Sequence, residues 1–289
     1  MPASTLLWLI LVTVVVVLGY AMRGDLGPLM VLVPATLGTV ILWSLPSRGE
    51  RGSRDRLVVL AAYLVLVVLG LALIRITLAT LGNEVAGLPG IGTHVQRALD
   101  RFATYGGTLY TQSGHWSTTA NWIAAGYYGG REHYVSNLHS DLAFVAVMQS
   151  YGVTAAIGLL ALYLGTAAML AVLGELTLAR AERAWAQTAR DRKSEDLERR
   201  RRYNRHAVPR LLEASTTSYF LFFCSLYLAF EVLVHVGTCF NTLPQTGLTL
   251  PWVSSGGSAS VGFAVLLGAG LARSVRARAR LSEAERSSK

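Results

Sequence analysis

Long uncharged runs separated by short polar or strongly basic stretches dominate the chain. Residues 4–21, 29–45, 57–81, 141–173, 215–236 and 261–271 are each almost free of charge. Residues 4–21 are near the length needed to cross a hydrocarbon core, about 20 residues of helix, and 141–173 exceed it. Six spans are therefore predicted. Residues 4–21 lack a basic n-region and a convincing small-residue cleavage site, which favours an uncleaved span over a signal peptide. The expected fold class is an all-α membrane protein: a polytopic transmembrane helix bundle of about six spans with one large extracytoplasmic loop. The expected division is N-terminal helices over 1–81, the loop over 82–138 and C-terminal helices over 139–289.

Charge sets the topology. Of 26 Lys+Arg, 21 fall in three stretches: four in 46–56, eleven in 174–213 and six in 273–289. These share one side if every apolar run is a span, and the bias of Lys and Arg toward cytoplasmic loops places that side, with both termini, in the cytoplasm. A net charge of +9 thus reads as a topology signal and not as a nucleic-acid footprint. Only 15% of residues are charged and mean hydropathy is +0.42, far from soluble usage. The segment 174–213 reads as a solvated helix face. Two cysteines, Cys224 and Cys239, give no disulfide framework or metal spacing.

Residues 82–138 are too polar to span. They carry Trp116, Trp122 and six Tyr or Phe residues, interrupted by Gly106-Gly107 and Gly129-Gly130. An amphipathic helix is expected over 93–103, and aromatics of this kind suit the head-group layer.

Chemistry concentrates where that segment enters the next span, at Asn137-Leu138-His139-Ser140-Asp141-Leu142-Ala143-Phe144. An ionisable group at a membrane entry is costly unless it faces protein or water, so Asp141 is a functional candidate. Capping of the following helix is the competing reading. Glu231 and His235, spaced i,i+4 in an apolar run, read as a polar lining facing a cavity; two ligands make a weak metal site.

Three stretches carry a resemblance. Arg23-Gly24-Asp25-Leu26-Gly27 is similar to the D-L-G-T stretch of the SEDS membrane glycosyltransferases, the family that includes FtsW, RodA and SpoVE. His139 to Phe144 resembles that family's H-T-D-F-I-F. Thr242 to Ser258 resembles L-P-x-T-G-x-x-L-P-F-x-S-Y-G-G-S over consecutive positions. Asn121 to Gly130 and Phe230 to Gly237 are weaker echoes. The chain departs from the pattern at Gln149-Ser150, where the family has an acidic pair, at Glu231, His235 and Ser255, and in lacking the family's first helices.

The resemblance implies polymerisation of lipid II into peptidoglycan glycan strands at the outer face of the inner membrane, in cell division or cell shape. It makes Asp141 the catalytic base. His139, Ser140, Arg23, Asp25, Asn121, Glu231, His235, Thr246, Gly247, Ser254, Ser255, Gly256 and Gly257 become substrate-binding candidates. No metal ligand and no certain cofactor follow, although a divalent cation at the pyrophosphate is compatible. A class B penicillin-binding transpeptidase is the implied partner. Two other readings stay open: a truncated, non-catalytic scaffold or subunit, and a transporter of the lipid-linked precursor.

Overall fold

The structure, a computed structural model, describes residues 27–45, 58–73, 142–191, 208–240, 248–254 and 257–287, with isolated positions such as Arg56 and Leu243. The elements among them are all helices: α1 (Gly27–Ser44), α2 (Val58–Leu73), α3 (Ala143–Tyr151), α4 (Val153–Asp191), α5 (Val208–Cys239) and α6 (Gly257–Ser287). Among the described residues, four stretches are long and apolar enough to cross a membrane: Gly27–Ser44, Val153–Ala184, Val208–Cys239 and Ser260–Arg280. The shorter α2 is apolar throughout most of its length. This is a polytopic helical membrane protein. Apart from isolated positions, the run at 4–21, the far end of 57–81 and the whole of 82–138 lie outside the described residues.

The expected inward span over 141–173 is two helices. Gly152, at φ 86° and ψ 172°, ends α3, and its amide donates to the Met148 carbonyl at 2.9 Å. Glycine takes that positive φ without a Cβ penalty, so the helix stops there and α4 starts afresh. Helix boundaries also outrun the apolar runs. α4 continues to Asp191 and α6 to Ser287, because Ala, Arg and Glu are strong helix formers whether or not lipid surrounds them. Charge marks where a helix leaves the bilayer, and it does not mark where the helix ends.

α5 is the hub, packing against α1, α3, α4 and α6. Val31, Ala35 and Leu42 of α1, Tyr63 and Leu71 of α2, and Tyr219, Phe222, Leu226, Phe230 and Val234 of α5 form one buried cluster. Lipid tails are as apolar as these side chains, so association depends on close packing and on hydrogen bonds. Gly38 supplies the close packing: a Cβ there would lie 2.6 Å from the Tyr63 ring and 2.9 Å from a Leu226 methyl. Gly174 does the same for α4, where a Cβ would sit 3.1 Å from the Ser218 carbonyl oxygen. Hydrogen bonds come from Tyr63, which donates to the Pro34 carbonyl at 2.6 Å, and from Ser225, which donates to the Ala167 carbonyl at 2.7 Å. Replacing Gly38 by Val is expected to destabilise the bundle by about 1–3 kcal/mol through overpacking. Thermal unfolding in detergent reads this as a lowered midpoint, and an unchanged midpoint would contradict the tight three-helix contact.

Charged groups gather at one end of the bundle. Arg56, 3% exposed, makes a bidentate pair with Glu175 at 2.7 and 3.1 Å and a second ion pair with Glu182 at 2.9 Å. Burial alone would lower its pKa, but hydrogen bonds and charge from the two glutamates outweigh that and hold it above the usual arginine value. Arg278 donates to the Thr177 hydroxyl at 3.2 Å and to the Leu173 carbonyl at 3.1 Å. Arg280 pairs with Glu213 in a more exposed setting. The three basic stretches thus meet at a common end. The start of 174–213 is not a solvated face: Glu175, Leu178 and Ala181 are buried, with Ala181 packed against Leu211, Ala214 and Ala277. Sequence pattern alone missed this because Arg56, the partner of Glu175 and Glu182, lies more than a hundred residues earlier.

Candidate functional site

At the opposite end of the bundle from Arg56, the start of α3 meets the end of α5 and the turn that precedes α6. α3 opens on Leu142, whose carbonyl accepts from the Val145 and Ala146 amides at 2.9 and 3.1 Å. The cap position therefore falls on Leu142 and not on Asp141. Leucine has no side-chain acceptor, so the first-turn amides that a Ser or Asp cap would satisfy need another partner. His235 of α5 supplies one. Its Nε2 accepts the Phe144 amide at 3.3 Å, and its ring is fully buried.

The other ring nitrogen completes a bridge. His235 Nδ1 lies 2.9 Å from the Leu248 carbonyl oxygen. A carbonyl only accepts and an amide only donates, so the proton sits on Nδ1 and the imidazole is neutral. Both nitrogens are engaged with backbone, which leaves neither as a metal ligand. No group of three or more metal-binding side chains occurs among the described residues.

Leu248 leads into a compact turn. Leu250 donates its amide to the Ser254 hydroxyl at 2.6 Å, and Ser254 returns its own amide to the Leu250 carbonyl at 2.9 Å. Within that turn Trp252 has φ 64°, a conformation that costs a bulky residue on the order of 1–3 kcal/mol. Three contacts hold it. Its amide donates to Ser260 at 2.7 Å, its ring stacks on Tyr163 at 6.2 Å, and Phe263 meets it edge-on at 5.3 Å. Tyr163 donates its hydroxyl to the Pro251 carbonyl, fixing the turn to α4.

Two buried polar side chains stand out beside this bridge. Glu231, one turn before His235, is 4% exposed and its Oε2 has no hydrogen-bond partner. Gln149 of α3 is 3% exposed with both amide atoms unpartnered. A buried polar group left unsatisfied costs roughly 1–3 kcal/mol. Such groups are uncommon in a packed interior.

The structure thus brings Glu231, His235, Ser254 and the start of α3 to one end of the bundle, and Gly257 opens α6 nearby. Arg23, Asp25, Asn121, His139, Ser140, Asp141, Thr246, Gly247, Ser255 and Gly256 lie outside the described residues. Phe144, Leu248 and Leu250 take part through backbone groups, which no side-chain pattern announces. Tyr163 was equally invisible, one of two tyrosines in the apolar run 141–173.

Comparison with known proteins matches the central part of this arrangement. The FtsW/RodA/SpoVE family model, described as "Cell cycle protein", covers residues 206–280, which hold α5, the Leu248–Ser254 turn and most of α6. Over this segment the chain is similar to the FtsW/RodA/SpoVE family. A protein of Buchnera aphidicola subsp. Baizongia pistaciae named "Probable peptidoglycan glycosyltransferase FtsW" is 47% identical over 45 residues. That match covers 16% of this chain and 12% of the relative. No solved structure matches. Glu231, His235 and Ser254 fall inside the segment matched to the family, and the stretch from His139 to Phe144 lies before it.

Proposed function

We propose that this protein polymerises lipid II into peptidoglycan glycan strands, with Asp141 as the general base. The observation that carries the reading is the His235 bridge. It draws together the flanks of two stretches that resemble the SEDS glycosyltransferases, at the bundle end away from the basic segments. By the positive-inside bias, that end faces outward, where the lipid-linked disaccharide is polymerised.

The chemistry is inverting glycosyl transfer. A sugar hydroxyl of the acceptor attacks the anomeric carbon of the donor, the bond to the polyprenyl pyrophosphate breaks, and the hydroxyl proton passes to a base within hydrogen-bond reach. Asp141, three residues before Phe144, is the carboxylate assigned to that proton. The departing pyrophosphate requires positive charge, and Arg23, Arg75, Arg97, Arg101 and Arg131 are the arginines that sequence topology places toward the outer side. Arginine suits this role because its planar fork contacts phosphate at two points. His139, Ser140, Asn121, Thr246, Gly247, Ser255 and Gly256 are assigned to the sugars and phosphates. A class B penicillin-binding transpeptidase is the partner that would cross-link the strands.

The test is direct. Purified protein in lipid nanodiscs, given lipid II alone, should yield glycan polymer that muramidase degrades. Lipid II that remains monomeric under those conditions, with the protein folded, would remove the polymerase reading.

A further inference from the structure

We propose that His235 is a positioning residue for this reaction: it caps α3 from α5 and ties it to the Leu248–Ser254 turn. The inference rests on the polymerase reading only for its kinetic consequence. The cap itself stands on geometry.

A helix start without a side-chain cap leaves first-turn amides that water would satisfy at a surface. The Phe144 amide is buried, so water is not its partner, and His235 Nε2 takes its place. Asp141 is joined to Phe144 through two residues. With 3.8 Å between consecutive Cα atoms, the Asp141 Cα cannot lie farther than about 11 Å from that of Phe144. The same imidazole holds Leu248, which opens the turn where Ser254 and Leu250 close on each other. One buried side chain therefore ties the start of α3, three residues past the candidate base, to the turn. Since both ring nitrogens face backbone, His235 acts through Phe144 and Leu248 and does not touch substrate.

The device requires one acceptor and one donor on a short, neutral side chain. A neutral imidazole provides this, and so does a carboxamide. Alanine provides neither. Full-length His235→Ala and His235→Asn in nanodiscs separate the possibilities through two readouts. The first is amide hydrogen exchange of the peptide covering residues 142–148, with α4 as the internal control for an intact fold. Exchange in 142–148 should accelerate about 10-fold in His235→Ala, as loss of one hydrogen bond implies. It should return toward the wild-type rate in His235→Asn. The second is lipid II polymerisation. In His235→Ala, kcat should fall about 10²-fold, the order expected of an ångström-scale misplacement, with KM little changed. His235→Asn should recover most of kcat.

Unchanged exchange over 142–148 in His235→Ala overturns the cap. A His235→Asn variant with wild-type exchange and a kcat as low as His235→Ala overturns the positioning role, because the imidazole would then be needed for itself. If wild-type protein makes no polymer while His235→Ala still speeds exchange over 142–148, the cap is supported and the polymerase reading fails.

Discussion

Glycan polymer formed from purified lipid II is expected to fall by about 10²- to 10⁴-fold in Asp141→Ala, the range that a positioned general base contributes. At about 1.4 kcal/mol per factor of ten, this raises the barrier by roughly 3–6 kcal/mol. Asp141 comes three residues before Phe144, whose amide donates to His235 Nε2, and the same ring bonds the Leu248 carbonyl. Asp141→Asn should be as impaired as Asp141→Ala, since an amide keeps the shape and loses the basicity. Polymer from either variant at the wild-type rate would take Asp141 out of the chemistry. Circular dichroism should remain helical in both, which separates a lost base from a lost fold.

Arg56→Ala is expected to be the most destabilising single change at the charged end, by about 3–5 kcal/mol. Its guanidinium faces two carboxylates of α4, and Glu175 has a side chain only 10% exposed. Removing the cation leaves two like charges on one helix without their shared partner, and that penalty exceeds the value of the pairs themselves. The same reasoning predicts recovery. In a triple variant, Arg56→Met with Glu175→Leu and Glu182→Leu, no charge remains buried, and stability should return to near that of the wild type. Chemical unfolding in mixed micelles checks both proteins. A single Arg56→Ala variant as stable as the wild type would mean that water already solvates this trio.

How much was legible in the sequence depended on the range of the interaction. Apolar runs announce spans because each run by itself answers the demand of the bilayer, and α1, α5 and the body of α4 follow from it. Helix ends were less legible. The break at Gly152 needs a backbone angle that glycine permits but does not compel, and α4 passes from lipid to Asp191 without interruption. At the candidate site, Glu231 and His235 drew notice as polar residues in an apolar setting. Their roles did not follow from that, because the groups that His235 meets are the Phe144 amide and the Leu248 carbonyl. Every residue has such groups, so sequence cannot single them out. The charged trio escaped notice for a related reason: Arg56 and Glu175 are each ordinary in their own charged stretches, and become informative only as a pair.

The position of α5 in the chain bears on how the protein is made. Ribosomes release the α1 and α2 sequences long before α5, yet α5 carries Tyr219, Phe222, Leu226, Phe230 and Val234, the surface on which those helices close. The early helices can meet each other through Gly38, Pro34 and Tyr63, but the faces they turn to α5 stay open to lipid until it arrives. Insertion and consolidation are then separate events in time. The late one coincides with the synthesis of the segment, 206–280, that matches the family model.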